Sequence, residues 1–435
     1  MKILFVAPYI PSQIRVRPYQ LIRALIQRGH EITLLAVWNS PEEQGDIEVL
    51  EANGVRVVAQ WLPAWRSLSN SLGAIVTGKS LQAAFSWHGS LAKRLASLVD
   101  ELKPDVVHVE HLRGANYGLY AKSYLAQTNG HNSGSSRIHI PIVWDSVDCI
   151  SYLFEQAAQQ SRSLKGRLMT RMELGRTRRY EGWLVHQFDQ IAVTSPTDRA
   201  ALENLARNAL SRSTQTGANH QRALFHKLNV VPNGVDLTYF SPAGAQREVA
   251  QIVFTGKMSY HANVTAAVHL VKDIMPRVWA QHPNAEVWIV GKDPAPEVRA
   301  LASHMGAMEE RVVITGTVSD LRPYLQRATI AVAPLLYGAG IQNKVLEAMA
   351  CGTPVVASLQ AASALNAEMG RDLQVAGNSV KFADAIIELL DNPYHRHEIG
   401  RMGRMYVEQN HSWEYAGSCL EAVYRKALSP YGMGQ

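Results

Sequence analysis

The segment Gly338-Ala-Gly-Ile-Gln-Asn-Lys-Val-Leu-Glu-Ala-Met-Ala-Cys-Gly-Thr-Pro-Val-Val356 runs from a glycine pair into an apolar-periodic helix and leaves it through Gly-Thr-Pro into a strand. Short apolar runs flank it, Ile330 to Pro334 before and Pro354 to Ser358 after, so the local order is strand, loop, helix, strand. Gly338 and Gly340, between the strand end near Leu336 and a helix starting near Ile341, let the backbone approach a ligand closely and aim helix-end N–H groups at phosphate. Lys344 lies about one turn into that helix and Glu347 three residues further on the same face. A cation there suits a diphosphate, and a carboxylate suits ribose hydroxyls. Val345, Leu346, Ala348 and Met349 around Glu347 mark a packed helix, where a charge needs a reason. Taken alone, the glycines serve an ordinary turn equally well.

The alternation extends in both directions. Upstream strands are expected at Gln251 to Thr255, Glu286 to Val290 and Arg311 to Thr315, with Lys257 following Gly256 at one strand end and Val318 beyond another. A separate series opens the chain with Lys2-Ile-Leu-Phe-Val-Ala7, helical spacing at Leu21, Leu25 and Ile26 stopped at Gly29, and a strand from Glu31 to Val37. That is a βαβ unit with a right-handed crossover. More strands are expected at Val55 to Trp61, Val106 to Glu110, Ile142 to Ser146 and Gln190 to Ser195. The pattern predicts an α/β protein of two doubly wound, Rossmann-like domains facing a cleft at the carboxyl ends of their strands. The expected division is an N-terminal domain over residues 1–200, a linker over 201–236, a second domain over 237–410, and a C-terminal helix over 411–435 packing back on the first domain. Gln127 to Ser136 and Arg207 to His220 are polar and read as surface loops.

Composition excludes several classes. The 435 residues are 47% hydrophobic and 18% charged, as in ordinary globular proteins. Cys149, Cys351 and Cys419 are too few and too scattered for a disulfide framework or a C-x-x-C site, which suits a reducing compartment. No apolar run approaches the roughly 20 residues that span a bilayer, so the expected location is cytoplasmic, or peripheral on the inner face of the membrane. The net charge of +6 favours an anionic partner. Much of it falls between Arg162 and Arg179, where Lys165, Arg167, Arg171, Arg176 and Arg178 face only Glu173; that stretch suits an anionic membrane surface or a solvated helix face. Without aromatics among the arginines, nucleic acid is not the expected partner. No G-x-G-x-x-G follows the first strand, against a dehydrogenase. No D-x-D stands at a strand end, since Asp145 and Asp148 are separated by two residues, so a metal-free site is expected.

The 338–356 segment resembles the donor-binding region of GT-B glycosyltransferases, especially the large retaining family 4. Further landmarks occur in the same order: Ile3-Leu-Phe-Val-Ala-Pro-Tyr9, Arg28-Gly-His-Glu-Ile-Thr-Leu34, Pro104-Asp-Val-Val-His108, Val231-Pro-Asn-Gly-Val-Asp236, Phe254-Thr-Gly256 and Ser412-Trp-Glu414. The resemblance covers nearly the whole chain. It implies a hexosyltransferase of polysaccharide biosynthesis that takes a nucleotide-diphosphate sugar, with UDP, GDP and dTDP all open. It also implies no cofactor, a lipid-linked or polysaccharide acceptor, and retention. Gly256, Val318, Gly338, Gly340, Ile341 and Glu347 would hold the donor, Glu347 at the ribose and Val318 beside the base, while Lys257 and Lys344 would neutralise the leaving diphosphate. Ala339 departs from the family, standing where many relatives carry the first Glu of an E-x7-E pattern that contacts the donor sugar.

In the N-terminal half the resemblance places acceptor residues after strand ends. Arg15 and Arg17 replace a glycine-rich loop and suit an anionic acceptor such as a lipid diphosphate. His108, Glu110 and His111 follow one strand and Asp145 and Asp148 another; His108 is equally suited to a satisfied core position, and the two aspartates to helix caps. Val147 stands where relatives often have a His, leaving Asp148 as the carboxylate to act as base or to bind a donor hydroxyl, with Asp145 second. Two other readings share this architecture: a nucleotide-sugar epimerase, and a non-catalytic nucleotide-sugar-binding protein.

Overall fold

In a computed structural model, the structure describes residues 1–77, 80–131, 139–160, 164–210, 226–244, 247–303, 311–338 and 340–429. The chain forms two compact units, Met1–Pro232 together with the stretch from Ala416, and Asn233–Tyr415. Each is built on an all-parallel sheet. The first contains β1 (Lys2–Ala7), β2 (Glu31–Trp38), β3 (Arg56–Trp61), β4 (Val106–Glu110), β5 (Ile142–Val147), β6 (Gln190–Val193) and β7 (Leu228–Val230), in the order β3-β2-β1-β4-β5-β6-β7. The second contains β8 (Gln251–Thr255), β9 (Glu286–Val290), β10 (Val312–Gly316), β11 (Ile330–Ala333), β12 (Val355–Ser358) and β13 (Gln374–Ala376), in the order β10-β9-β8-β11-β12-β13. Both sheets reverse their winding once, between β1 and β4 and between β8 and β11. A reversal of this kind leaves a crevice beyond the strand carboxyl ends.

The central strands are largely apolar because helices cover both their faces, with buried polar exceptions at His108 and Glu110 in β4 and at Asp145 and Ser146 in β5. Leu4, Phe5 and Val6 in β1 and Phe254 in β8 have no exposed area. The doubly wound architecture is the one the sequence predicts, with strand ends displaced by one or two residues. β13 was not anticipated; its three residues, one of them Gln374, are too few to show a period. The helix Asn343–Ala350 starts two residues later than expected. Gln342 stays extended as its N-cap, and Gly340 turns the chain at a φ of 67°.

The helix Trp413–Leu428 begins in the second unit and runs into the first. There Gly417 lies against the helix Val16–Gln27 so closely that a Cβ on it would sit 2.7 Å from Cβ of Ala24. Leu420 and Tyr424 are fully buried. Glu421 pairs with Arg28 and Arg425, each at 2.5 Å.

Candidate functional site

In the second unit, two strand ends meet backbone to backbone. The N–H of Gly256, just past β8, donates to the carbonyl of Val290 at 3.0 Å, and that of Met258 donates to the carbonyl of Lys292 at 2.9 Å. Gly256 has a φ of 152° and Gly291 of 150°. A Cβ on Gly291 would lie 1.7 Å from the carbonyl oxygen of Gly256, so no side chain fits between the two loops. The resulting backbone floor opens into a pocket of about 540 Å³, within the usual size of a small-molecule site.

Charged groups enter this pocket from the helix Asn343–Ala350. Nζ of Lys344 donates to Oδ1 of Asn263 at 2.5 Å and lies 5.0 Å from the centre of the Phe254 ring. The Asn263 side chain also donates, from Nδ2, to the carbonyl of Lys257 at 2.9 Å. One amide therefore ties the lysine to the glycine-lined loop. Glu347 lines the pocket one helical turn beyond Lys344. Burial lowers the pKa of Lys344 to about 8, against the pull of Glu347, and raises that of Glu347 to about 7, against the pull of Lys344. Each group is partly withdrawn from the water that would favour its charge, so an anion beside Lys344 and hydroxyl donors beside Glu347 would favour the charged forms. Lys257 is exposed, with Oδ2 of Asp293 at 3.9 Å. The far wall includes Val318 and Tyr337, whose hydroxyl meets Nδ1 of His261 at 2.8 Å under stacked rings.

In the first unit, ionisable side chains gather at the carboxyl ends of β4 and β5. Arg17 donates from Nε and Nη2 to Oδ2 of Asp145, at 3.2 and 2.8 Å, and both side chains are buried. Oδ1 of Asp145 accepts from the N–H of Val147 at 3.0 Å. His108 has no exposed area; its Nδ1 meets the Tyr424 hydroxyl at 2.9 Å, its Nε2 faces Glu110 at 3.4 Å, and its ring stacks on Phe5. Burial, reinforced by the charge of Asp145, raises the pKa of Glu110. His111 adopts a φ of 64°, and burial, then Arg113, lowers its pKa to about 4. His108, Glu110 and Asp145 offer ligand atoms within 4.8 Å of one another, close enough to share a cation, and the Arg17 guanidinium already supplies one. Asp148 stands apart from that group, accepting from the Thr194 hydroxyl at 3.2 Å; burial, then Asp198, raises its pKa to about 6.

Residues 250–392 match the family described as glycosyl transferases group 1, and residues 14–210 match the glycosyl transferase 4-like domain. The chain belongs to the group 1 glycosyltransferases. A GDP-mannose-dependent monoacylated alpha-(1-6)-phosphatidylinositol monomannoside mannosyltransferase of Corynebacterium glutamicum is 32% identical over 212 residues, which are 44% of this chain and 55% of that protein. A phosphatidyl-myo-inositol mannosyltransferase of Mycobacterium leprae is 29% identical over 203 residues, 45% of this chain and 52% of that one. The chain thus spans about half the length of the curated relatives it matches. Among solved structures, Alr3699/HepE of Anabaena in complex with UDP superposes with a TM-score of 0.64 at 14% identity, covering 98% of this chain and 100% of that one. The fold is that of the GT-B glycosyltransferases.

Of the donor residues expected in this group 1 chain, Gly256, Lys257, Val318, Gly338, Ile341, Lys344 and Glu347 line one pocket, and Gly340 forms the turn behind it. Ala339 and Arg162 lie outside the described residues, as do the side chains of Lys165, Arg167 and Arg171. Arg178 pairs with Glu155 at 2.6 Å. The two arginines expected to await an anion are both engaged: Arg15 with Glu43 at 2.5 Å, Arg17 with Asp145. Asn263 and Tyr337 were missed. The one available signal for Asn263 is a polar residue in the first turn of a helix that follows a strand-end Gly-Lys.

Proposed function

We propose that this protein transfers a hexosyl group from a nucleotide-diphosphate sugar to a lipid-linked or polysaccharide acceptor, with retention at the anomeric carbon and without a metal ion. The observation that carries the reading is the pairing of Lys344 and Glu347 on one helix face above the Gly256–Gly291 floor. The diphosphate would lie against that floor with Lys344 at its charge, and Glu347 would accept hydrogen bonds from the ribose hydroxyls. As the bond from the anomeric carbon to the diphosphate oxygen breaks, its electron pair passes to that oxygen, and the cations of Lys344 and Lys257 stabilise the growing charge. The acceptor oxygen bonds to the anomeric carbon on the same face, and its proton goes to the departing phosphate oxygen. These lysines meet the need for positive charge that a metal would otherwise fill. In the first unit, Asp148 is the carboxylate assigned to accept a hydrogen bond from a substrate hydroxyl, while the transferred proton passes to the departing phosphate oxygen.

The relatives support the donor class: one is named for GDP-mannose, and the solved Anabaena protein holds UDP. The decisive experiment is a thermal-shift and calorimetric screen against UDP, GDP, dTDP and their sugar conjugates, since a ligand bound only by the native state raises apparent stability. A selective shift that disappears in Glu347→Ala is the expected result. No shift with any nucleotide would overturn the reading, and turnover of the sugar nucleotide without an acceptor would point to an epimerase.

A further inference from the structure

A separate concavity of about 440 Å³ opens in the second unit at the amino ends of its strands, opposite the end that carries the donor pocket. Arg247, just before β8, and Pro354, just before β12, line it, whereas the donor pocket lies past the carboxyl end of β8. One face of the helix Pro393–Asn410 forms another wall. Gly400 lets that helix press onto the chain at Gly352, because a Cβ on Gly400 would lie 2.4 Å from the Gly352 carbonyl oxygen. The two pockets share no lining residue among those described, and the inference stands whether or not the donor reading does.

The charge of this lining is of one sign. Arg247, Arg396, His397, Arg401 and Arg404 contribute to it, and among the described residues no Asp or Glu does. The half-buried Arg247 donates to the carbonyls of Ala328 and Gly352, each at 2.8 Å, and to the Thr353 hydroxyl at 3.0 Å. These neutral acceptors satisfy its N–H groups and leave its charge uncancelled. Glu248, beside it in the chain, pairs with Arg327 instead. Nη1 of Arg396 donates to the carbonyls of Leu389 and Leu390 at 2.8 and 3.2 Å, while its Nε and Nη2 meet no acceptor among the described residues. Burial lowers the pKa of both arginines, and the charge of Arg396 adds to the fall at Arg247. Glu398 and Glu408 pair with Arg401 and Arg404, at 2.8 and 2.6 Å, and stand outside the lining. Like charges collected in a concavity, with donors left over, call for an anion, and the planar guanidinium fork matches phosphoryl oxygens. The N-terminus of the helix, at Pro393, adds its positive end. We infer that this pocket binds a phosphoryl group, taken up by Arg396 and Arg401 within the field of Arg247 and Arg404. Its volume exceeds what a lone phosphate fills and leaves room for the body of a small phosphate ester.

The test is calorimetric titration of the full chain with inorganic phosphate, with glucose 6-phosphate, and with glucose as the uncharged control. The phosphorylated probes are expected to bind, and the double variant Arg396→Gln, Arg401→Gln to weaken them at least about tenfold, while Lys344→Met in the donor pocket leaves their affinity unchanged. Ala243→Glu offers a second variant. Ala243 is exposed in the lining, so a carboxylate there should compete with the anion and produce the same loss without removing any arginine contact. That readout holds even if the double variant fails to fold. Tighter binding of glucose 6-phosphate than of phosphate would identify an ester as the ligand, and equal binding would identify free phosphate. The inference fails if neither probe binds, or if glucose binds as tightly as its phosphate. It fails equally if Lys344→Met abolishes binding that Ala243→Glu leaves intact, since the anion would then sit in the donor pocket.

Discussion

Lys344 and Glu347 carry opposite charges on one helix face, and burial works against both. If a diphosphate needs Lys344 charged and a ribose needs Glu347 ionised, nucleotide binding should be strongest between pH about 7 and about 8, the values to which burial brings the two groups. Calorimetric titration across pH should show affinity rising as Glu347 loses its proton and falling as Lys344 does. Glu347→Gln is expected to remove the acidic limb and Lys344→Met the alkaline one; a flat wild-type profile would count against the assignment. Stability follows the same group with a definite sign. The folded carboxyl of Glu347 keeps its proton to about 7, against an ordinary value of 4.5, so the folded state binds more protons than the unfolded one in that interval. Wild type should therefore lose stability relative to Glu347→Gln as pH rises through that window, with a constant difference above it. Asn263 acts through Lys344. Asn263→Ala should lower kcat/KM on the order of tenfold by releasing the lysine, and shift the alkaline limb, which a purely structural role would not move.

The elements that hold the site are the loops after β8 and β9, pressed together at Gly256 and Gly291. Gly291→Ala combines a disallowed φ with a Cβ placed 1.7 Å from a carbonyl oxygen. It should cost about 3 kcal/mol or more in denaturant unfolding, or prevent folding of the second unit. The sequence shows the strands that lead to these loops because each is a short run with an apolar centre, and it shows Lys344 and Glu347 because they interrupt an apolar helix. It does not show that Arg17 closes on Asp145, since those residues are far apart in the chain and only folding brings the start of the helix Val16–Gln27 to the end of β5. Arg15 and Arg17, read as exposed cations, are neutralised by the same kind of long-range pairing. The helix at Leu270–Ile274 was also out of reach: it widens to a π turn just before Pro276. Pro276 cannot donate an N–H and would clash with a carbonyl one turn back, which explains the widening, but sequence period alone does not register it.

At the scale of the whole molecule, every side chain lining the donor pocket comes from Asn233–Tyr415. A nucleotide at 100 times its Kd should therefore stabilise that unit by about 2.7 kcal/mol. Scanning calorimetry should show the transition of that unit moving, and Glu347→Ala should abolish the movement; an equal shift in the first unit would contradict the location of the site. The first unit depends instead on the helix Trp413–Leu428. Tyr424→Phe leaves Nδ1 of the buried His108 without its hydroxyl partner, and should destabilise the first unit by about 1–3 kcal/mol without changing nucleotide affinity.

That helix also sets a schedule for biogenesis. A ribosome releases Met1–Pro232 first, yet the side chains that cover His108 and neutralise Arg28 arrive only after the entire second unit has been translated. At about 5–20 residues per second, the nascent first unit waits on the order of ten seconds with an uncovered helix face and with Nδ1 of His108 lacking its hydroxyl partner. The unit synthesised first is thus the last to be completed, and during that interval it is a natural client for a chaperone.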